Sequence, residues 1–382
     1  MARNKGARPR RASPDRARPS QSVLTIDLGA IAANYRHLRQ EVGPAACAAV
    51  VKADAYGLGA ARVAPALAAA GCREFFVAHL GEAEVVRRVL PKRAAIYVLN
   101  GLLAGEEAEF KRGGFIPVLN DLGQVERWGK AGRGARRPLP TALHVDTGMS
   151  RLGVSPAEAL ALAQDEGRLK GLDLRCLMSH LACADEPQHA LNAEQLAAFR
   201  RVRAAFPRTR ASLANSSGIF LGGAYHFDLV RPGSALFGIN PQPGRPNGLR
   251  QVVRLQGKIL QIHEVDPPRS VGYGATHRVA GRTRIATVAA GYADGWPRSL
   301  SNRGCAYIGE LRVPVIGRVS MDLLTLDITA APSISAGAVV ELLGDRLPID
   351  DVAEAAGTIG YEILTRLGHR YRRVYRGGSA SR

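Results

Sequence analysis

The chain reads first as a succession of short apolar runs alternating with amphipathic stretches. From about residue 45 to 238 there are eight strand-like runs: CAAVVKADA, EFFVAHL, AAIYVLN, GFIPVLN, TALHVDTG, LRCLMSHLA, RASLANSSG and FDLVRPGSALFG. Most are followed by an alanine-rich segment of helical periodicity, such as GAARVAPALAAAG, GEAEVVRRVL, SPAEALALAQDEG and NAEQLAAFRRVRAAF. Eight alternations of strand and helix predict a parallel (β/α)8 barrel of the TIM type over residues 21–250, with its active site at the C-terminal ends of the strands. An open doubly wound sheet fits less well, because no G-x-G-x-x-G follows the first strand. After about residue 250, QGKILQIHEV, SVGYGATHRV, TRIATVAAGYADGW, AYIGELRVPVIGRVSMDLLTLDI and GAVVELLGD replace helical periodicity by β runs and turns. A second, all-β domain is expected over 251–382, with one helix-like piece near YEILTRL. No internal repeat is present.

In a barrel the polar strand ends acquire meaning. Lys52 falls at the top of strand one, His144 and Arg151 flank the end of strand five, and His180 ends strand six. Asn215 and Ser216 end strand seven, while Arg231 and Gly233 end strand eight. A lone lysine there is ordinarily a snorkelling surface residue and a lone histidine a satisfied structural group. Six or more such groups converging on one mouth point to a site instead. The loops NSSG and RPGS, after the last two strands, have the small residues, hydroxyls and backbone amides that hold phosphate in many barrels. Read alone, they are two ordinary turns. A phosphate anchor facing a lysine points to pyridoxal phosphate held as a Schiff base, because a partly desolvated ammonium favours the neutral amine that attack on an aldehyde requires. In the β domain, the glycine-flanked Tyr273 (VGYGA) and Tyr292 (AGYADGW) are expected to be exposed.

Composition narrows the class. With 382 residues, 46% hydrophobic and 22% charged, the chain can bury a large core, and two domains are expected. No run of 18 apolar residues occurs and the N-terminus lacks the apolar stretch of a secretory signal, so a cytoplasmic protein without membrane association is expected. The five cysteines are odd in number, widely spaced and without a C-x-x-C pair, which fits reduced thiols. No metal site is expected, since the nine histidines show no H-E-x-x-H spacing. The net charge of +19 raises nucleic-acid binding. Residues 1–20 alone contribute +6 and contain almost nothing apolar, so they read as a disordered basic tail, and the rest is spread thinly. Nucleic acid is therefore set aside as a partner.

Nine segments, VVKADAYGLGA, HVDTGMSRLG, SHLACAD, NSSG, VRPGSALFGI, VGYGATH, AAGYADGW, GRVSMDLLTLD and GTIGYEILTRL, resemble in order the motifs of the alanine racemase family, from about Leu24 to Tyr375. The resemblance implies a pyridoxal-phosphate barrel of fold type III followed by a β domain. It also implies a homodimer in which each active site takes residues from the partner's β domain. Carried over by position, Lys52 is the Schiff-base lysine and one catalytic base, serving the D-enantiomer, and Tyr273 of the partner subunit is the second, serving the L-enantiomer. Inversion needs two bases, since one must remove the Cα proton from one face while another returns a proton to the other. His180 and Arg231 assist the tyrosine electrostatically. Arg231 also matches the residue at the cofactor's pyridine nitrogen, where a guanidinium donates a hydrogen bond without surrendering its proton and so suppresses transamination. Tyr56, Ser216, Gly233, Ser234 and Tyr361 match phosphate contacts, and Asn215 joins the cofactor-binding set. Arg151 and the backbone of Met321 match positions that hold the substrate carboxylate, and Tyr292 joins the substrate-binding set.

One position departs from the family pattern. A lysine commonly stands seven residues before the arginine and carries carbon dioxide as a carbamate that orients it, whereas this chain has His144. Imidazole cannot supply that anion, so either a small anion such as chloride substitutes or Arg151 is held less tightly. The expected activity is interconversion of L- and D-alanine, for wall-precursor synthesis or D-alanine catabolism. The competing readings are a racemase of broader specificity, a barrel decarboxylase of basic amino acids and a non-catalytic pyridoxal-phosphate carrier. A decarboxylase favours an acidic residue where Arg231 stands, and a carrier has no need of Tyr273.

Overall fold

The computed structural model describes residues 20–378, so the basic tail expected over residues 1–20 lies outside the described residues except for Ser20. The eight apolar runs form the strands of a barrel. The first is Ala46–Cys47 continuing as Ala49–Val50, followed by Glu74–Val77, Ala95–Val98, Ile116–Leu119, Leu139–His144, Leu172–Met178, Arg210–Ser212 and Leu229–Val230. Neighbours pair in parallel from Ala49–Val50 through Arg210–Ser212. The eighth strand closes the ring, pairing Leu229 with Ala46 and Val230 with Cys47. On its other side the Asp228 N–H donates to the Ala211 carbonyl and the Arg231 N–H to the Ala214 carbonyl, both at 3.0 Å. Strands covered on both faces must be nearly all apolar, which explains why these runs alternate so little. Inside the barrel Val50, Phe76, Tyr97, Val118, Ala142 and Met178 pack together, with Phe76 stacked on Tyr97 at 4.4 Å.

The outer helices follow the predicted segments at Ala60–Ala69, Leu80–Val89, Pro156–Gln164 and Ala190–Ala204. Strands seven and eight lead instead into short 3-10 turns, Ser217–Leu221 and Ser234–Phe237. The helix Leu28–Glu41, which precedes strand one, packs beside the second of these turns. Its Asn34 Nδ2 donates to the carbonyls of Leu236 (3.3 Å) and Arg250 (3.0 Å). At the end of the barrel away from the strand C-termini, Arg210 forks onto Glu74 at 2.9 and 3.1 Å while Tyr97 Oη donates to the same carboxylate at 3.0 Å. This ties strands two, three and seven together, where polar networks serve stability.

The second unit is built on the 13-residue strand Val253–Val265. Its sheet runs Leu311–Pro314, Cys305–Ile308, Val339–Leu343, Val253–Val265, Ser22–Asp27 and Arg372–Arg376, while Thr283–Val288 and Leu324–Asp327 extend it from the long strand. Two short helices, Ile349–Ala356 and Gly360–Arg366, stand where one was expected. The boundary at residue 21 also needs correction. Ser22–Asp27 pairs with Val253–Val265, Leu24 opposite Leu255, and in parallel with Arg372–Arg376, so it belongs to the C-terminal sheet and not to the barrel. Its alternation of buried Ser22, Leu24 and Ile26 with half-exposed Val23, Thr25 and Asp27 suits a sheet covered on one face.

Candidate active site

The first barrel strand ends at Val50, and the Val51 N–H still donates to the Phe76 carbonyl at 2.8 Å. Beyond Lys52 the backbone reverses its hand. Ala53, Asp54, Ala55 and Tyr56 have φ of 53°, 52°, 55° and 56°, in the left-handed region that disfavours a Cβ by about 1–2 kcal/mol per residue. Internal bonds brace the turn: the Gly57 N–H donates to the Ala53 carbonyl (2.7 Å), the Gly59 N–H to the Asp54 carbonyl (2.8 Å) and the Ala60 N–H to Asp54 Oδ1 (2.7 Å). The turn sets Lys52 in the barrel mouth and puts the Tyr56 ring into the same cavity, 4.8 Å from the ring of Phe237.

That cavity measures about 510 Å³. Of the residues expected in it, Lys52, Tyr56, His144, Arg151, His180, Asn215, Ser216, Arg231, Gly233, Ser234 and Tyr361 all line it. Val50, Ala78, Leu99, Asn100, Leu152 and Met178 complete the wall, which among the described residues contains no carboxylate. Burial pulls the Lys52 ammonium below the usual lysine range; Arg151 pulls the same way and Glu82 opposes it. Loss of its proton is thereby made easier.

Arg231 is almost wholly buried. Its Nη1 donates to Ser212 Oγ, and its Nη2 donates to the Ser179 carbonyl at 2.5 Å and lies 3.4 Å from His180 Nδ1. Burial lowers this guanidinium to about 10, which still leaves it charged at neutral pH. His180 is pushed well below the usual imidazole range, first by burial and then by Arg231 and Arg151. A neutral His180 therefore accepts at Nδ1 and carries its proton on Nε2. The loop after strand six is pinned by Gln195, whose Nε2 donates to the His180 carbonyl (2.9 Å) and whose Oε1 accepts the Ala182 N–H (2.9 Å).

His144 is buried, and its Nδ1 lies 2.8 Å from Asn120 Oδ1. Since Asn120 Nδ2 donates to the Leu99 and Val118 carbonyls, both at 2.9 Å, its Oδ1 is an acceptor and His144 Nδ1 carries the proton. Burial, followed by Arg231, lowers His144 to about 4. Between that value and the ordinary imidazole value near 6.5, the unfolded chain binds a proton that the folded chain refuses. Stability is thus full above about pH 6.5 and is lost as pH falls through about 4, at about 1.4 kcal/mol per pH unit for each such proton. Denaturant midpoints measured between pH 6.5 and 4.5 should fall steeply, and His144→Asn should remove one histidine's share of the slope. An unchanged slope in that variant would contradict a neutral His144.

The cavity can be tested for pyridoxal phosphate. At one end Ser216 Oγ accepts the N–H groups of Gly233 (2.9 Å) and Ala235 (3.2 Å), and Ser234 Oγ donates to Tyr361 Oη (2.8 Å). A Cβ at Gly233 would stand 2.2 Å from Tyr56 Oη, so only glycine lets that hydroxyl approach the cradle. Burial raises both tyrosines above their usual range, keeping them as O–H donors. Neutral donors at one end, a lysine in the mouth, a buried guanidinium at the far side and no carboxylate in the wall fit an anionic, phosphate-bearing aldehyde.

Three expected residues lie elsewhere. Tyr273 (73% exposed), Met321 (54%) and Tyr292 (41%) sit on the surface of the β unit and do not line the barrel cavity. Tyr273 and Tyr292 share a hollow of about 310 Å³ with Arg298 and Arg318. Tyr361, from the same unit, does reach the barrel cavity. Glu82, Asn120 and Gln195 were not expected, and no motif marks them; each acts on backbone or on another side chain. Among the described residues no helix is long and apolar enough to cross a membrane, and no group of three or more acidic, histidine or cysteine residues could hold a metal.

Comparison with known proteins places this geometry. Residues 26–241 match the family model "Alanine racemase, N-terminal domain" and residues 252–375 the model "Alanine racemase, C-terminal domain". The chain is 54% identical over 359 residues to an alanine racemase of Rhodospirillum rubrum, covering 93% of this chain and 96% of that one. It is 51% identical to a catabolic alanine racemase of Mesorhizobium japonicum, covering 94% of each. Among solved structures, alanine racemase from Bartonella henselae with covalently bound pyridoxal phosphate superposes with a TM-score of 0.90 at 42% identity, over 94% of this chain and all of that one. The biosynthetic alanine racemase from Pseudomonas aeruginosa gives 0.89 at 37% identity, again over 94% of this chain and all of that one. On both domains, in the same order and over nearly its whole length, the chain belongs to the alanine racemase family.

Proposed function

We propose that the chain interconverts L- and D-alanine with pyridoxal phosphate as cofactor, and that its working form is a homodimer. The observation that carries this reading is the barrel-mouth cavity, in which Lys52 faces a phosphate-type cradle and a buried Arg231. Pyridoxal phosphate, when bound, supplies an electron sink that makes the Cα–H of an attached amino acid acidic. Lys52 holds the cofactor covalently, then removes and returns the Cα proton on one face. Tyr56, Ser216, Gly233, Ser234 and Tyr361 bind the phosphate, Asn215 shapes the loop beside them, and Arg231 donates to the ring nitrogen. Arg151 grips the substrate carboxylate with help from the Met321 backbone of the partner subunit. His144, a neutral side chain bonded to Asn120, leaves Arg151 without a carbamate at that position.

Tyr273, the second base this reading requires, does not line the cavity of its own chain. Tyr273, Tyr292 and Met321 stand exposed on the β unit, which accords with their service to another copy. Five unpaired cysteines accord with a reducing compartment, the cytoplasm. Relatives named as biosynthetic and as catabolic enzymes are both similar to this chain. The test combines a spectrum with an assay. Purified protein should absorb near 420 nm, lose that band to borohydride and racemise alanine faster than serine or larger amino acids. Carbon dioxide release from lysine or arginine without racemisation would replace this reading with that of a decarboxylase.

A further inference from the structure

The left-handed turn after Lys52 is held from outside the barrel by a carboxylate. Glu82 lies in the first turn of the helix Leu80–Val89, with its side chain 17% exposed. Its Oε1 accepts the Ala53 N–H at 2.7 Å and its Oε2 accepts the Ala78 N–H at 2.7 Å. Ala53 directly follows Lys52, and Ala78 directly follows the second strand, so one side chain bridges the ends of two adjacent strands. Bonds from N–H groups to an ionised carboxylate are the stronger kind.

The turn needs such a brace. None of its four positive-φ residues is glycine, so released backbone would relax toward right-handed or extended conformations and carry the Lys52 side chain with it. Asp54, the one residue of the four that tolerates this region well, uses its carboxylate on the Ala60 N–H and leaves Ala53 to Glu82. Glu82 is also the anion whose charge opposes the burial acting on Lys52. His79, 3.7 Å away, sits on the solvent side with its own side chain 62% exposed.

We infer that Glu82 is a positioning residue for Lys52: it fixes the Ala53–Tyr56 turn and so the place in the barrel mouth where the lysine amine meets cofactor and substrate. The inference rests on the assignment of Lys52 as the attachment point. It is tested on purified holoenzyme with Glu82→Ala, Glu82→Gln and the pair Glu82→Ala with Ala53→Gly. Glu82→Ala should lower kcat about 100-fold, as ångström-scale misplacement of a reacting group does. KM for alanine should stay within about threefold, because the substrate carboxylate is gripped at Arg151 and not at Lys52. Under brief borohydride treatment, the fraction of bound cofactor fixed to Lys52 should drop in parallel, read by peptide mass. Glu82→Gln keeps one acceptor and should lose about tenfold in kcat. Ala53→Gly in the alanine background should recover part of both losses, since glycine adopts the left-handed turn unaided.

A lower melting temperature with wild-type kcat and wild-type fixation at Lys52 would overturn the proposal, leaving Glu82 a purely structural tie. Should Glu82→Ala not accumulate as folded protein, Glu82→Gln is judged on the same two readouts. Absence of fixation at Lys52 in the wild-type protein would instead refute the assignment of Lys52 itself, a separate failure.

Discussion

Replacing Lys52 with alanine is expected to lower racemisation by more than about 10⁴-fold in both directions, the largest loss of any single substitution in this protein. Two contributions vanish together. General-base catalysis alone is worth about 10²–10⁴-fold, and the covalent hold on the cofactor is lost with the same amine. Among the described residues no second lysine lines the cavity, so none of them can replace it. Tyr56, Ser216, Gly233, Ser234 and Tyr361 remain, so the variant should still bind pyridoxal phosphate reversibly through its phosphate. The measurement is borohydride reduction followed by denaturing gel filtration and mass analysis of the released peptides. Label that stays with the protein in Lys52→Ala would contradict the assignment.

The barrel was legible because its physics is redundant. A parallel strand between helices and barrel interior is apolar on both sides, so CAAVV, EFFV and IPVL announce themselves without alternation. Polar residues in such runs gather toward the strand ends, and Lys52, His144, His180 and Arg231 could be grouped because each falls at the C-terminal end of its run. All four line one cavity. The family resemblance added what spacing alone could not, namely the division of labour among those residues.

Other features left no trace in the pattern. Ser22–Asp27 falls within the span 21–250 expected for the barrel, yet its partners lie more than 200 residues away. A one-sided burial pattern over six residues is too short to name them. The turn Ala53–Tyr56 is written in Ala, Asp, Ala and Tyr, residues that give little local hint of positive φ, and it persists through its own hydrogen bonds together with the one that Glu82 supplies from outside. Glu82 and Gln195 are invisible for the same reason, since a side chain that bonds backbone amides or carbonyls answers to tertiary geometry alone. The helix Ile349–Ala356 was overlooked because its eight residues lie between turns in a region dominated by strands.

The surface position of Tyr273 leads to the second large effect. If that hydroxyl serves the face of Cα opposite Lys52, Tyr273→Phe should cut overall racemisation by about 10²–10⁴-fold, the usual worth of one acid or base. Steady-state rates cannot say which face was lost. The two enantiomers have equal free energy, so the equilibrium constant is unity and kcat/KM must fall equally in both directions whichever base is removed. Isotope exchange at Cα does distinguish the faces. In heavy water, Tyr273→Phe should still wash deuterium into D-alanine through Lys52, whereas exchange into L-alanine should fall with racemisation, because no proton acceptor remains on that side. A Lys52 that returns the proton it has just removed produces exchange without inversion, so the ratio of exchange to racemisation for D-alanine should rise well above the wild-type value. Mixing Tyr273→Phe with Lys52→Ala chains supplies a further check. A mixed dimer that shares residues between copies has one doubly damaged site and one intact site, so each mixed dimer should recover up to about half the activity of a wild-type dimer. A mixture that stays as inactive as its parents, although the chains have exchanged, would show that Tyr273 acts within its own chain and that the partner contributes nothing at this position.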